Sequence, residues 1–364
     1  MTPDLICDFV LEQLTDELKL RETPNIDPLP TDSWIARSVM QKAIRRGMSD
    51  LACRAAAQLL LIDQRTLWRR LLITAMEDLG PAEIDTTARI VAAWRDRRWR
   101  SQVGGDWPVV AELVRRSAEA PKCQSANDLW NIAINDPALE SVKADMSELD
   151  STDVVAIAAA TSGDIYRQAV AILLVLGSEA GCTLPHPMPL TPSDLFAALD
   201  AQGKSSHVTA ICREAFRLTS VPLAGLTLCL WPRQPAVQSI AKDDWFGPAH
   251  WVGGIPTFAL DQYTRAGKTA IKRYVSQSPE WRDFCSDACI AAAQRAAVAG
   301  EMLFRIDGAA LSQRSMNPIS VKLHHRSSLL GAFVEPRKVM EATSLMRRQL
   351  PLIEQIRGAL FLTI

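Results

Sequence analysis

Between residues 245 and 274 the chain reads WFGPAHWVGGIPTFALDQYTRAGKTAIKRY, and rare residue types crowd together there. Trp245, Trp251 and Tyr263 offer flat stacking surfaces, and Asp261 offers a carboxylate. Arg265, Lys268, Lys272 and Arg273 offer cations. Rings of this kind can hold a planar base outside a nucleic-acid stack, while Arg265, Lys272 and Arg273 take phosphates. A carboxylate such as Asp261 can stabilise a developing sugar cation or activate water, and Lys268 can attack as an amine nucleophile. The same residues also have an ordinary structural use: the tryptophans anchor a surface loop, Asp261 caps the helix that follows, and the cations are solvated. The Gly-Gly-Ile-Pro word at 253–256 breaks any helix and bends the backbone.

Two further groups carry chemistry. Arg97, Arg98 and Arg100 interleave with Trp94 and Trp99, which suits a phosphate-contacting edge or a helix end whose cations complement the macrodipole. His324, His325 and Arg326 concentrate in LHHRSS at 323–328, read as a polar or phosphate-facing surface turn, because adjacent histidines do not chelate one metal from one helix face.

The elements that must position these residues are helical. Hydrophobic residues make up 48% of the 364, enough for a large core and about two domains. Lys plus Arg number 40 against 41 acidic residues, so any nucleic-acid contact must come from local patches rather than a global field. Eight cysteines lie scattered without a CxxC pair; Cys285 and Cys289 are four apart but lack further ligands, so they read as reduced thiols of a cytoplasmic protein, with no metal and no cofactor. No apolar run is long enough to span a bilayer, and no membrane partner is expected.

Periodicity and punctuation predict an all-α fold. An amphipathic docking helix and Pro-rich linker occupy 1–31. A helical domain covers 32–180, with helices over 34–46, 50–62, 64–79 and 83–98 joined by short turns. A second helical domain, 190–364, holds the aromatic stretch, a helix over 279–299 and a closing helix over 337–356. The Pro-rich segment 182–194 marks the boundary, and LTLCLWPRQP at 226–235 fits either a strand or a buried helix.

QKAIRRG at 41–47, AAAQLLLID at 55–63, WRRLLITAMEDLG at 68–80 and TTARIVAAW at 86–94 together resemble the C-terminal helical collar of the replication-associated recombination protein A family of AAA+ ATPases. The likeness covers about 60 residues. It implies a replication or repair setting and a DNA partner, but no active site, because no GxxxxGK[ST] word occurs and no nucleoside triphosphate is expected. A shorter likeness, Asp261 with Arg265 one residue displaced and Tyr263 where the family has His, resembles the catalytic stretch of helix-hairpin-helix DNA glycosylases. It implies excision of a modified or damaged base extruded from duplex DNA, as in bacterial anti-phage glycosylases. The alternative is a non-catalytic DNA- or replisome-binding module.

Overall fold

The computed structural model describes residues 3–160, 162–177, 191–202, 206–233, 241–331 and 333–361. Among them it holds nineteen α-helices and four two-residue strands, so the fold is all-α as the periodicity predicts. In chain order the helices are α1 (Pro3–Lys19), α2 (Ser33–Arg45), α3 (Ser49–Ile62), α4 (Gln64–Thr74), α5 (Ile84–Arg95), α6 (Arg97–Gln102), α7 (Asp106–Glu119), α8 (Ser125–Asn135), α9 (Glu140–Ser147), α10 (Ser151–Ala159), α11 (Ile165–Val175), α12 (Pro192–Ala201), α13 (Ser206–Thr219) and α14 (Leu223–Leu230). After three two-residue strands follow α15 (Arg265–Gln277), α16 (Pro279–Asp287), α17 (Arg295–Leu303), then, past a fourth strand, α18 (Pro318–Ser328) and α19 (Pro336–Phe361). Most of the proline-rich segment at 182–194 lies outside the described residues.

Local chemistry explains the boundaries. Asp32 caps α2 by accepting from the backbone of Trp34 and Ile35 at 2.8 and 2.9 Å. The helix expected over 64–79 instead widens at residue 75 into a π-turn, Ala75–Leu79, and ends at Gly80 with φ +50°. A Cβ at Gly80 would meet the Cys123 carbonyl oxygen at 2.5 Å, so only glycine lets the two segments approach there. The 83–98 helix divides at Asp96, whose carboxylate caps α6 through Trp99. The expected 279–299 helix is two: α16 closes with Cys289 at φ +53° and Ile290 N–H donating back to Cys285, a Schellman-type ending. LHHRSS is the last turn and a half of α18 rather than a turn, because Asn317 caps and Pro318 starts a helix whose Leu323 is buried. The ambiguous LTLCL segment is buried helix α14.

Two apolar cores result. The larger is drawn from α1 through α14, with residues of the 255–260 segment and α18. Its docking helix α1 contributes the fully buried Leu14. The smaller gathers α15, α16, α17 and α19 around Tyr274, Trp281, Met302 and Met346. Between α14 and α15, β1 (Ala241–Lys242) pairs antiparallel with β4 (Arg314–Ser315). The strands β2 (Trp251–Val252) and β3 (Ile255–Pro256) form a tight hairpin turned by Gly253 and Gly254, at φ +56° and +77°.

Candidate functional site

A cleft of about 700 Å³ opens where the two cores meet. Its walls come from α8, α17, α18 and α19, and its floor from Arg45 of α2, the π-turn Ala75–Leu79 and a second π-turn, Phe304–Gly308. Single π-turns in α-rich proteins recur at functional sites because the extra residue redirects side chains out of helical register. Here the first directs two successive carboxylates to one guanidinium: Arg45 Nη2 donates to Glu77 at 2.5 Å and Nε to Asp78 at 2.7 Å. The second supplies the Gly308 carbonyl, which accepts from Arg45 Nη1 at 2.9 Å, and the Phe304 ring, 5.4 Å from the guanidinium. Gln124 donates to Asp78 at 2.8 Å, and Gln41 to Glu77 at 3.0 Å.

The two carboxylates differ in access. Asp78 is fully buried, whereas Glu77 keeps 19% of its side chain exposed and lines the cleft. Burial raises the Glu77 pKa above the ordinary glutamate value, with Arg45 pulling the other way. Both Glu77 oxygens are bonded, Oε1 to Arg45 and Oε2 to Gln41, and the side chain keeps an edge toward the cleft.

Two of the expected stacking residues reach this cleft. Tyr263 is exposed at its lip and meets Phe304 edge to face, with centroids 5.7 Å apart. Trp245 is half exposed, with the Arg347 guanidinium 5.0 Å from its ring. It is held by its neighbour Asp244, which pairs with Arg314 at 2.6 Å and accepts from Leu311 N at 2.8 Å. Trp251 is half exposed on β2 and does not line the cleft.

Asp261 is placed otherwise than its expected role requires. It is 3% exposed, outside the cleft lining, and its carboxylate is occupied: Lys42 Nζ donates at 2.6 Å and Tyr263 N at 2.9 Å. Lys42 is equally buried and also reaches the Phe258 carbonyl at 2.8 Å. Ser38 holds the Ala259 carbonyl, and Arg357 holds that of Leu260. Backbone contact completes the lock, since a Cβ at Gly267 would meet Asp261 O at 2.0 Å. Burial pushes the Lys42 ammonium down to about 8 against the pull of Asp261. Asp261 thus fixes the loop that presents Tyr263, and a carboxylate so enclosed has no approach to a sugar.

Lys268 stands apart from the cleft, exposed on α15. Thr264 caps that helix, whose buried face is Gly267, Ala270, Ile271 and Tyr274. The opposite face carries Arg265, Lys268, Lys272 and Arg273, all exposed, with no ion pair among the described residues. Their spacing of three, four and one residues puts them on one broad basic stripe. It begins two residues after Tyr263.

The remaining expected contacts divide. Arg97 and Arg98 are exposed on α6, but Arg100 is buried, bonded to Asp106 and the Ala93 and Trp94 carbonyls and stacked on Trp68, and is unavailable to phosphate. Arg326 is likewise engaged, by Asp136 at 2.6 Å and the Tyr166 ring. His325 is exposed, and His324 lines the cleft beside Asp128.

No family model, curated protein or solved structure matches the chain.

Among the described residues no group of three or more His, Cys, Asp or Glu is placed to hold a metal ion, and no helix is long and apolar enough to cross a membrane. The residues that sequence reasoning missed are Arg45, Lys42, Asp128, Phe304 and Arg347. The one available signal was the acidic pair Glu77-Asp78 inside an otherwise apolar helical word, since adjacent acids in a buried run require cationic partners.

Proposed function

We propose that this protein acts on DNA by seating an extruded base in the cleft and cleaving its N-glycosidic bond. The observation that carries the reading is the pairing, in one cavity, of the exposed rings of Tyr263 and Trp245 with the carboxylate of Glu77, whose pKa burial has raised. The volume of about 700 Å³ accommodates a nucleoside together with a substituent on its base. Outside it, the stripe of Arg265, Lys268, Lys272 and Arg273 gives a strand backbone a track that starts at the cleft's lip. The charges lining the cavity are nearly balanced: Arg45, Arg305, Arg314 and Arg347 against Glu77, Asp128, Asp244 and Glu301. That balance suits a neutral, hydrogen-bonding ring better than a phosphate group. The likeness of residues 33–95 to an ATPase collar and of the Asp261 stretch to DNA glycosylases agrees with a repair or anti-phage setting.

Enclosure of Asp261 favours a second reading, a DNA-binding module without catalysis, in which the rings and cations only bind. An abasic-site assay separates the two. Duplexes with ordinary, hydroxymethylated or glucosylated cytosine, or with uracil, are incubated with protein and then cleaved with alkali. Base excision predicts strand breaks that Glu77→Gln abolishes; breaks in none of the duplexes, with a retained gel shift, leave the binding module. Loss of both removes DNA altogether.

A further inference from the structure

On α8 and α18, which pack side by side along the cleft, Asp128 and His324 face one another, with Nδ1 3.4 Å from Oδ2. Asp128 is nearly enclosed, its side chain 9% exposed, whereas His324 retains 45%. Both line the cleft. The approach is longer than a hydrogen bond, and the buried Nδ1 has no hydrogen-bond partner among the described residues; the carboxylate's charge favours the ring edge that turns Nδ1 toward it, which leaves the other nitrogen to bind or accept a proton. Asp128 lies one helical turn beyond Gln124, and Gln124 donates to Asp78, the neighbour of Glu77. His324 and Glu77 both line the one cleft of about 700 Å³.

We infer that His324, oriented by Asp128, is the general base of the cleft and Glu77 its general acid, acting on the N-glycosidic bond of the seated nucleotide. The assignment rests on the base-excision reading above. In the step, His324 takes a proton from water as the water oxygen bonds to the anomeric carbon. The carbon–nitrogen bond breaks with its electron pair going to the base, and Glu77 delivers a proton to that base nitrogen. One water is consumed, an abasic sugar and a free base are formed, and solvent returns the proton from imidazolium to glutamate. Separate acid and base across a leaving group is the arrangement of inverting glycoside hydrolysis. His324 is the catalytic residue and Asp128 its positioning residue.

The test uses the full chain and duplexes containing hydroxymethylcytosine, glucosylated hydroxymethylcytosine or uracil. Base release is followed in single turnovers and binding by quenching of tryptophan fluorescence. His324→Ala is expected to slow release by about 100-fold or more with binding unchanged, and added imidazole to restore part of the rate. His324→Gln, closer in shape, controls for folding. Asp128→Asn is expected to lower kcat about tenfold with KM unchanged, and Asp128→Glu to recover most of it. Wild-type rates in His324→Ala and His324→Gln overturn the assignment while leaving base excision standing. A loss that imidazole does not relieve, accompanied by loss of binding, also overturns it. Binding without release by the wild type from every duplex removes both this inference and the excision reading.

Discussion

Two cations three residues apart on α2 meet three carboxylates from elsewhere in the chain, and the outcomes differ. Lys42 meets Asp261 in a closed chamber, both side chains 5% exposed or less. Arg45 meets Glu77 and Asp78 at a π-turn that opens on the cleft. The first pair is a fastener: its ammonium and carboxylate consume each other, and Lys42, Ser38 and Arg357 tie down three successive carbonyls of the same loop. In the second the cation is shared: Asp78 takes Arg45 Nε from within, while Glu77, which accepts from Arg45 Nη2 and from Gln41, keeps an exposed edge on the cleft. Charge type is the same in both places, and what differs is whether a second carboxylate shares the cation and whether solvent reaches it.

The largest expected difference between the two lies in stability. Asp261→Asn leaves the Lys42 ammonium buried without a counter-charge, a loss of about 3–5 kcal/mol for a broken buried pair. Glu77→Gln keeps the Asp78 contact and should lose about 1 kcal/mol. Urea denaturation of the two variants reads this directly, and equal losses would dissolve the distinction between fastener and site.

A third buried cation sharpens it. Lys122 is fully buried and its Nζ is held by the carbonyls of Ala118 and Ala120, with no carboxylate bonded to it among the described residues. Burial pushes its pKa down to about 8. The unfolded chain keeps that proton until roughly pH 10.4, so between these values the unfolded state binds more protons and folding gains stability as pH rises. Relative to Lys122→Met, the wild type should therefore become more stable from pH 8 to 10, by up to about 3 kcal/mol. Denaturation midpoints across that range check it, and a flat difference contradicts it.

The smallest effect concerns the basic stripe, whose cations form no ion pair among the described residues. Arg265→Ala and Lys272→Ala should leave thermal stability almost unchanged. Each should reduce the slope of log affinity against log salt for duplex DNA by about 0.9. An Arg100→Ala variant, by contrast, should lose stability, because that guanidinium is spent on Asp106 and two carbonyls. A salt slope unmoved by Arg265 and Lys272 would detach the stripe from nucleic acid.

Much of the fold was legible because its signals are local. Asp32 announces a helix start by side-chain capping, and Gly47 and Gly80 announce ends through positive φ. Where local signals stopped short, so did the reading. Widening of residues 75–79 into a π-turn depends on Cys123 donating to the Asp78 carbonyl at 2.7 Å, a contact no periodicity contains. The aromatic half of the site was visible as composition, since Trp245 and Tyr263 are rare residues in a turn-rich stretch. Its carboxylates were not, because Glu77 sits in a π-turn that no local pattern announces and Asp128 is an ordinary acid on an ordinary helix.

The sequence by itself determined that this chain is helical, where most helices start, which faces they bury, and that a basic stripe follows Tyr263. Those properties are set by neighbours within a few residues. Tertiary structure alone decided which carboxylate is locked and which faces the cleft. The Lys42–Asp261 bond joins residues 219 apart and the Arg45–Asp78 bond residues 33 apart, and a carboxylate's charge, access and proton affinity follow from the partners that folding brings to it.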